Sequence, residues 1–135
     1  MRRHESREQA FLLIFESNFK NETIEEIIEN AQVCRSIKIS SFARKIFNGV
    51  CENKTNIDKI IEDNIIGWKK NRISKVALSV MRLAVYEMLY EVDIPKSVSI
   101  NEAVELTKKY STKDEAAFVN GILGSAAKKM ENSNA

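Results

Sequence analysis

Apolar positions along this chain recur at helical spacing in seven stretches, each separated from the next by polar residues with capping or breaking chemistry. Residues Glu5 to Phe19 put Phe11, Ile14, Phe15 and Phe19 on one face, which predicts a first amphipathic helix growing out of the N-terminus. Thr23 and Glu26 have the spacing of a capping box, and Ile24, Ile27, Ile28 and Ala31 form the inward stripe of a second helix with acidic residues outside. Ser40 or Ser41 can cap a third helix through Phe42, Ile46, Phe47 and Val50. Asn56 can cap a fourth through Ile57, Ile60 and Ile61, with Gly67 ending it or bending the chain after it.

The fifth stretch, Ser74 to Tyr90, is apolar almost all round, from Val76 through Met81 and Val85 to Leu89. A helix of that kind must be surrounded by others, so it is expected at the centre of the domain. Pro95 forbids its continuation. Ser99 and Glu102 then read as a second capping box, opening a helix with Ile100, Ala103, Val104 and Leu106 inward. The last helix is expected from Asp114, with Phe118, Val119, Ile122, Leu123, Ala126 and Ala127 inward and Gly121 at a close helix contact. The tail 131–135 is polar and expected to fray.

Four glycines and one proline leave little for hairpins to turn on, which strengthens the all-α reading. With 44% hydrophobic and 30% charged residues, 135 residues suit one domain, spanning 1–135. The longest nearly unbroken apolar run, Val76 to Val85, is about half of the roughly 20 residues that cross a bilayer and contains Arg82. Phe11 to Phe15 is too short for a signal peptide, so a cytoplasmic protein without membrane contact is expected. Cys34 and Cys51 read as small buried apolar residues, not as a redox pair.

Catalytic chemistry is poorly supported. The one histidine, His4, lies in the terminal arm, and no glycine-rich phosphate loop is present. Carboxylate pairs such as Glu25 with Glu26 and Glu62 with Asp63 fall on faces expected to be solvated. No enzyme, metal or cofactor is expected, and binding is the default role.

Charge gives that role a location. Lys and Arg exceed Asp and Glu by 21 to 19, and the whole excess lies in residues 1–7, where Arg2, Arg3 and Arg7 face Glu5 alone. Guanidinium forks match phosphate oxygens, and nearby aromatics such as Phe11 and Phe15 offer platforms to unpaired bases, although a terminal tail of this composition can equally be solvated. A second cationic group, Lys69, Lys70, Arg72 and Lys75, reads either as a solvated connector or as a contact. Arg82, a permanent charge in the most apolar helix, must emerge at a boundary or meet an acid such as Glu87 or Glu102. A structural bridge and a partner contact would both satisfy it.

Four blocks in fixed order then identify a resemblance: Met81-Arg82-Leu83-Ala84-Val85-Tyr86-Glu87, Ile94-Pro95, Val98-Ser99-Ile100-Asn101-Glu102-Ala103-Val104-Glu105-Leu106, and Phe118-Val119-Asn120-Gly121-Ile122-Leu123. Together with Arg7-Glu8-Gln9-Ala10 and the aromatic at Phe15, they resemble the NusB family of bacterial transcription antitermination factors over nearly the whole chain. The resemblance implies two packed three-helix bundles sharing one core around the central helix. It also implies binding of the single-stranded boxA element of nascent ribosomal RNA together with the ribosomal protein NusE, and recruitment of the RNA polymerase elongation complex through other Nus factors. RNA contacts carried over from the family fall on Arg2, Arg3, Arg7, Phe15, Asp114 and Phe118, and the ribosomal-protein contact falls on Arg82. Some members are monomers and others pair through the RNA-binding face, so a homodimer is one implied assembly.

The chain departs from the family at three places. Phe15 stands where a tyrosine is usual, His4 and Glu5 interrupt the arginines of the arm, and Ala77 stands where some relatives place an acid facing the ribosomal protein. Weaker intrinsic RNA affinity and more dependence on the partner are expected. Three phosphates neutralised by the arm would give a log–log salt slope of about −2, at about −0.7 per phosphate on single strands. Two other classes compete with this reading: an RNA-targeting domain of a ribosomal RNA methyltransferase, which these 135 residues would fit only as a fragment of a longer protein, and an interaction scaffold with an inert arm.

Overall fold

Seven helices and no strand are found among the described residues of the computed structural model, 2–65 and 73–133. They are α1 (Arg3–Ser17), α2 (Ile24–Arg35), α3 (Ser41–Glu52), α4 (Lys54–Asp63), α5 (Lys75–Tyr90), α6 (Lys96–Tyr110) and α7 (Lys113–Ser133). Helices α1, α2 and α3 pack on one another as one bundle, and α5, α6 and α7 as a second, with α4 between α3, α5 and α7. Helix α5 lies against α1, α3, α4, α6 and α7, and from Ser79 to Met88 every residue is buried. One apolar cluster runs through all seven helices, including Phe11 and Leu13 of α1, Ile27 of α2, Phe47 of α3, Ile61 of α4, Leu83 of α5, Ala103 of α6 and Leu123 of α7. The expected all-α architecture of two three-helix bundles around a central helix is thus the observed one.

Local caps explain most boundaries. Thr23 Oγ1 accepts from Glu26 N–H and Glu26 Oε1 accepts from Thr23 N–H, both at 3.2 Å, completing the capping box of α2. Ser40 and Ser74 cap α3 and α5 by accepting from Ala43 and Ala77 N–H, each at 3.0 Å. Helix α2 ends with Ser36 in the left-handed region, φ 52°, while Ile37 N–H donates to Gln32 O. A Cβ there is strained, and Ser36 is exposed, so Ser36→Gly should raise the unfolding free energy by about 1 kcal/mol in urea denaturation.

Several boundaries differ from the sequence expectation. Helix α1 begins at Arg3, two residues before the expected Glu5, so His4 belongs to a helix and not to a loose arm, and it ends before Phe19, which is 63% exposed. Asn53, not Asn56, begins α4: it is at once the C-cap of α3 and the N-cap of α4, with its amide donating to Gly49 O at 2.8 Å. The Ser99–Glu102 capping box does not form, because α6 starts directly after Pro95 and the Ser99 hydroxyl donates to Glu87 of the central helix instead. Thr112 caps α7, its hydroxyl accepting from Glu115 N–H, and Asp114 lies in the first turn. Residues 131–133, expected to fray, continue α7.

Gly121 is exposed, and a Cβ added there would meet nothing within 4 Å. It is no close contact, since the inward stripe of α7 passes through Val119, Ile122 and Leu123. Cys34 is exposed on α2, contrary to expectation, whereas Cys51 is half-buried against the core and burial pushes its thiol up. Gly67 and the cations Lys69, Lys70 and Arg72 lie outside the described residues, and Lys75 is exposed at the start of α5.

Candidate nucleic-acid interface

The three arginines of the N-terminus separate into two kinds. Arg2 is the N-cap of α1 with no side-chain capping bond, and Arg3 follows as the first helical residue; both are exposed. The Arg3 guanidinium lies 3.8 Å from the centroid of the Phe42 ring on α3, within cation–π range. Cations at this end of a helix work against its dipole, by about 0.3–1 kcal/mol each at exposed sites. The contact with Phe42 offsets this for Arg3, and no side-chain capping bond does so for Arg2.

Arg7 does the opposite of what the sequence suggests. Its side chain is 4% exposed, with Nε donating to Glu87 Oε2 at 2.7 Å and Nη2 to Glu87 Oε1 at 3.1 Å. Glu87, wholly buried, also accepts from Ser99 Oγ at 3.0 Å, and Glu102 stands 3.9 Å from Arg7 Nη1. The guanidinium expected on phosphate is therefore spent inside the protein, because burial of a charge on α1 requires an opposite charge on α5. In the same turns Ser40 Oγ donates to Ser6 Oγ at 2.9 Å, and Gln9 Oε1 accepts from Ser40 N–H at 2.9 Å.

Further along α1, and at the end of α6, runs a row of aromatic rings. Phe15 is half-buried between Phe11, at 6.1 Å centroid to centroid, and Phe19, at 5.1 Å; Phe11 in turn lies 4.9 Å from Tyr110 at the end of α6. The two ends of the row are open, since Phe19 and Tyr110 are both exposed. Lys109 Nζ stands 5.5 Å from the Tyr110 ring and donates to Glu8 Oε2 at 2.6 Å. That bond to Glu8 holds the Lys109 ammonium above its usual pKa, and burial, helped by the charge of Glu8, raises the Tyr110 hydroxyl. Both groups therefore keep their protons at neutral pH, as a cation and an O–H donor. From Tyr110 the chain turns through Thr112 into α7, where Asp114 is exposed and Phe118 half-buried against the core.

Helical spacing assigns Phe19 to the core and gives no surface role to Tyr110, yet both rings are exposed. The usable signal is that each sits at a helix end, followed by polar residues that leave its ring uncovered.

Arg82 meets neither Glu87 nor Glu102. Its Nε and Nη2 donate to the two carboxylate oxygens of Asp58 on α4 at 2.8 and 3.1 Å, and Nη1 donates to Asn18 Oδ1 at 2.9 Å. Asn18 in turn donates to Ser79 Oγ at 3.0 Å and to the carbonyls of Ile14 and Phe15. One guanidinium thereby ties α4, α5 and the end of α1 together. An open groove of about 450 Å³ lies beside it, with Ile61, Lys75 and Leu78 among its walls. Among the described residues no three metal-ligating side chains come together, and no helix is long and apolar enough to cross a membrane.

Known proteins of similar shape and sequence place this chain in a family. The model of the NusB family matches residues 4–128. The transcription antitermination protein NusB of Clostridium novyi (strain NT) is 42% identical over 132 residues, covering 95% of this chain and 99% of the relative. The crystal form of T. maritima NusB superposes with a TM-score of 0.83 at 37% identity, covering 95% of this chain and 92% of that one. A crystal structure of the antitermination factors NusB and NusE in complex with double-stranded RNA matches with a TM-score of 0.83 at 25% identity, covering 96% and 99%. With a family match through nearly every helix and relatives of this closeness over almost their full length, the chain belongs to the NusB family.

Proposed function

We propose that this protein is a transcription antitermination factor that binds single-stranded, boxA-type RNA of ribosomal RNA operons together with the ribosomal protein NusE. The observation that carries the RNA part is the pair of exposed arginines at the positive end of α1, Arg2 and Arg3, on the helix that further along bears Phe11 and Phe15, the middle of a row of rings from Tyr110 to Phe19. Arg2 and Arg3 neutralise phosphates, and unpaired bases stack on the open ring ends. Phe118 adds apolar surface, and Asp114 accepts hydrogen bonds from base or ribose donors. Arg7 supports the site from within.

The ribosomal protein docks along α4 and α5, where the bridge from Arg82 to Asp58 and Asn18 gives its footing a fixed shape. Other Nus factors connect the pair to the RNA polymerase elongation complex. The work is binding, without a catalytic step, and it takes place in the cytoplasm, where nascent RNA is made.

Titration of labelled boxA-type and scrambled RNA, with and without NusE, tests this reading. Two arm arginines predict that Arg2→Ala/Arg3→Ala flattens the log–log salt slope by about 1.4, at about 0.7 per phosphate. An unchanged slope, or equal affinity for scrambled RNA, rejects the proposal.

A further inference from the structure

The first turn of α1 has one favourable charge, Glu5, and otherwise poor intrinsic support. Its N-cap is an arginine that makes no side-chain capping bond, and two cations sit where the helix dipole disfavours them. Arg3 and Arg7 are also four residues apart, which puts like charges on one helix face, and both guanidinium groups look onto the same ring, Phe42, at 3.8 and 6.0 Å. Left alone, this turn would fray. Ser40 and Phe42 of the α3 start hold one side of these turns through Ser6, Gln9 and Arg3, and the buried side is held by a polar cluster one turn further in, where Glu87 takes both bonds of Arg7 and the Ser99 hydroxyl, joining α1 to α5 and α6.

We propose that the buried cluster of Arg7, Glu87 and Ser99 is a positioning site for RNA binding, which fixes the place and rotation of the first turn of α1 so that Arg2 and Arg3 meet phosphates. A bidentate guanidinium–carboxylate pair suits this task, because two parallel bonds set orientation as well as distance. Stability alone is a weaker account, since a buried ion pair is commonly no better than well-packed apolar residues of similar volume. Glu87 is wholly buried and cannot touch RNA, so whatever it does for binding passes through Arg7. Its negative charge also cancels that of Arg7 and leaves Arg3 free to hold its pose over Phe42. The inference rests on the reading of Arg2 and Arg3 as phosphate contacts, and the experiment separates the two.

Full-length protein with NusE is titrated with labelled boxA-type RNA at several salt concentrations, well below the melting temperature of each variant. Glu87→Gln and Arg7→Lys are each expected to weaken RNA binding about tenfold, the loss that goes with one charge-assisted contact, while binding of NusE alone stays unchanged. Arg7→Lys keeps the charge and loses the fork, so a wild-type affinity for it would mean that Arg7 touches phosphate directly, and would overturn the inference. Arg7→Met/Glu87→Leu removes the pair without leaving a lone buried charge. It should stay folded and bind RNA as weakly as Glu87→Gln, and wild-type binding by it overturns the inference even where Glu87→Gln fails to fold.

In an Arg2→Ala/Arg3→Ala background, Glu87→Gln should add less than about twofold, because the groups it positions are gone. Equal weakening of RNA and NusE binding by Glu87→Gln would mark a general structural role and overturn the inference. If Arg2→Ala/Arg3→Ala itself binds RNA like wild type, the reading of the arm fails first. If that variant is weak while Glu87→Gln and Arg7→Met/Glu87→Leu are normal, the arm reading stands and only the positioning role falls.

Discussion

Replacing Glu87 with alanine should lower the free energy of unfolding by about 3–5 kcal/mol, read by urea denaturation. The carboxylate is 0% exposed and accepts three hydrogen bonds, two from Arg7 and one from Ser99. Without it the Arg7 guanidinium stays in a site that is 4% exposed, with Glu102 at 3.9 Å as its nearest acid, and Ser99 loses its acceptor. Removing one partner costs far more than removing both. Arg7→Met/Glu87→Leu should therefore lie within about 1 kcal/mol of wild type or above it, since it exchanges a desolvated ion pair for apolar packing. A loss below about 1 kcal/mol for Glu87→Ala would mean that Glu102 moves in to take the charge.

Gly49→Ala should also destabilise, by about 1–3 kcal/mol, although alanine is the better helix former by about 1 kcal/mol. Gly49 lies inside α3 facing the central helix, and a Cβ there would stand 2.1 Å from Cε1, 2.5 Å from Cζ and 2.8 Å from the hydroxyl oxygen of Tyr86. The Tyr86 ring is buried and packed against Tyr90 at 5.3 Å, so it can make room only by swinging outward. Burial holds its hydroxyl above the usual tyrosine pKa. The swing should bring that pKa down, which a spectrophotometric titration of Gly49→Ala against wild type would read. A phenol whose pKa is raised in the folded state stabilises below the unfolded pKa of about 10, and that contribution is lost as pH climbs through the folded value. Combining Gly49→Ala with Tyr86→Leu should recover part of the loss, and strictly additive effects would show that the ring and the Cβ do not collide.

These two sites mark where reading the chain by itself stops. Gly49 and Gly121 look alike in sequence, each a glycine within a helical stripe. Only the packing tells that one faces Tyr86 and the other faces solvent. Thr23 was legible, and Ser40 as one of two candidates with Ser41, because a cap acts over three residues, and the all-round apolar pattern of residues 75–90 could mean only a surrounded helix. Ser99 misled for the same reason. Its local partner was Glu102, but the hydroxyl found Glu87 on another helix.

Arg82 was recognised as a charge in need of a partner, yet Asp58 and Asn18 are 24 and 64 residues away and nothing local singles them out. Arg7 shows the limit most clearly. Three arginines in seven residues describe a basic arm, whereas the fold keeps two outside and folds the third into its interior, 80 residues from its acid. The site that sequence could offer was a place, and the division of labour within it belongs to tertiary structure.

The joint at Asn53 gives this division a scale. Helix α3 begins beneath Arg3, where Phe42 carries the guanidinium, and α4 carries Asp58, the anchor of Arg82. One residue joins the two helices, and the Tyr90 hydroxyl donates to its side-chain oxygen at 3.1 Å. With no loop between them to stretch, α3 and α4 act as a caliper whose jaws are the arginine end and the Arg82 face. In the proposed function, the spacing between the RNA site and the protein-partner site is then set by a corner of the backbone.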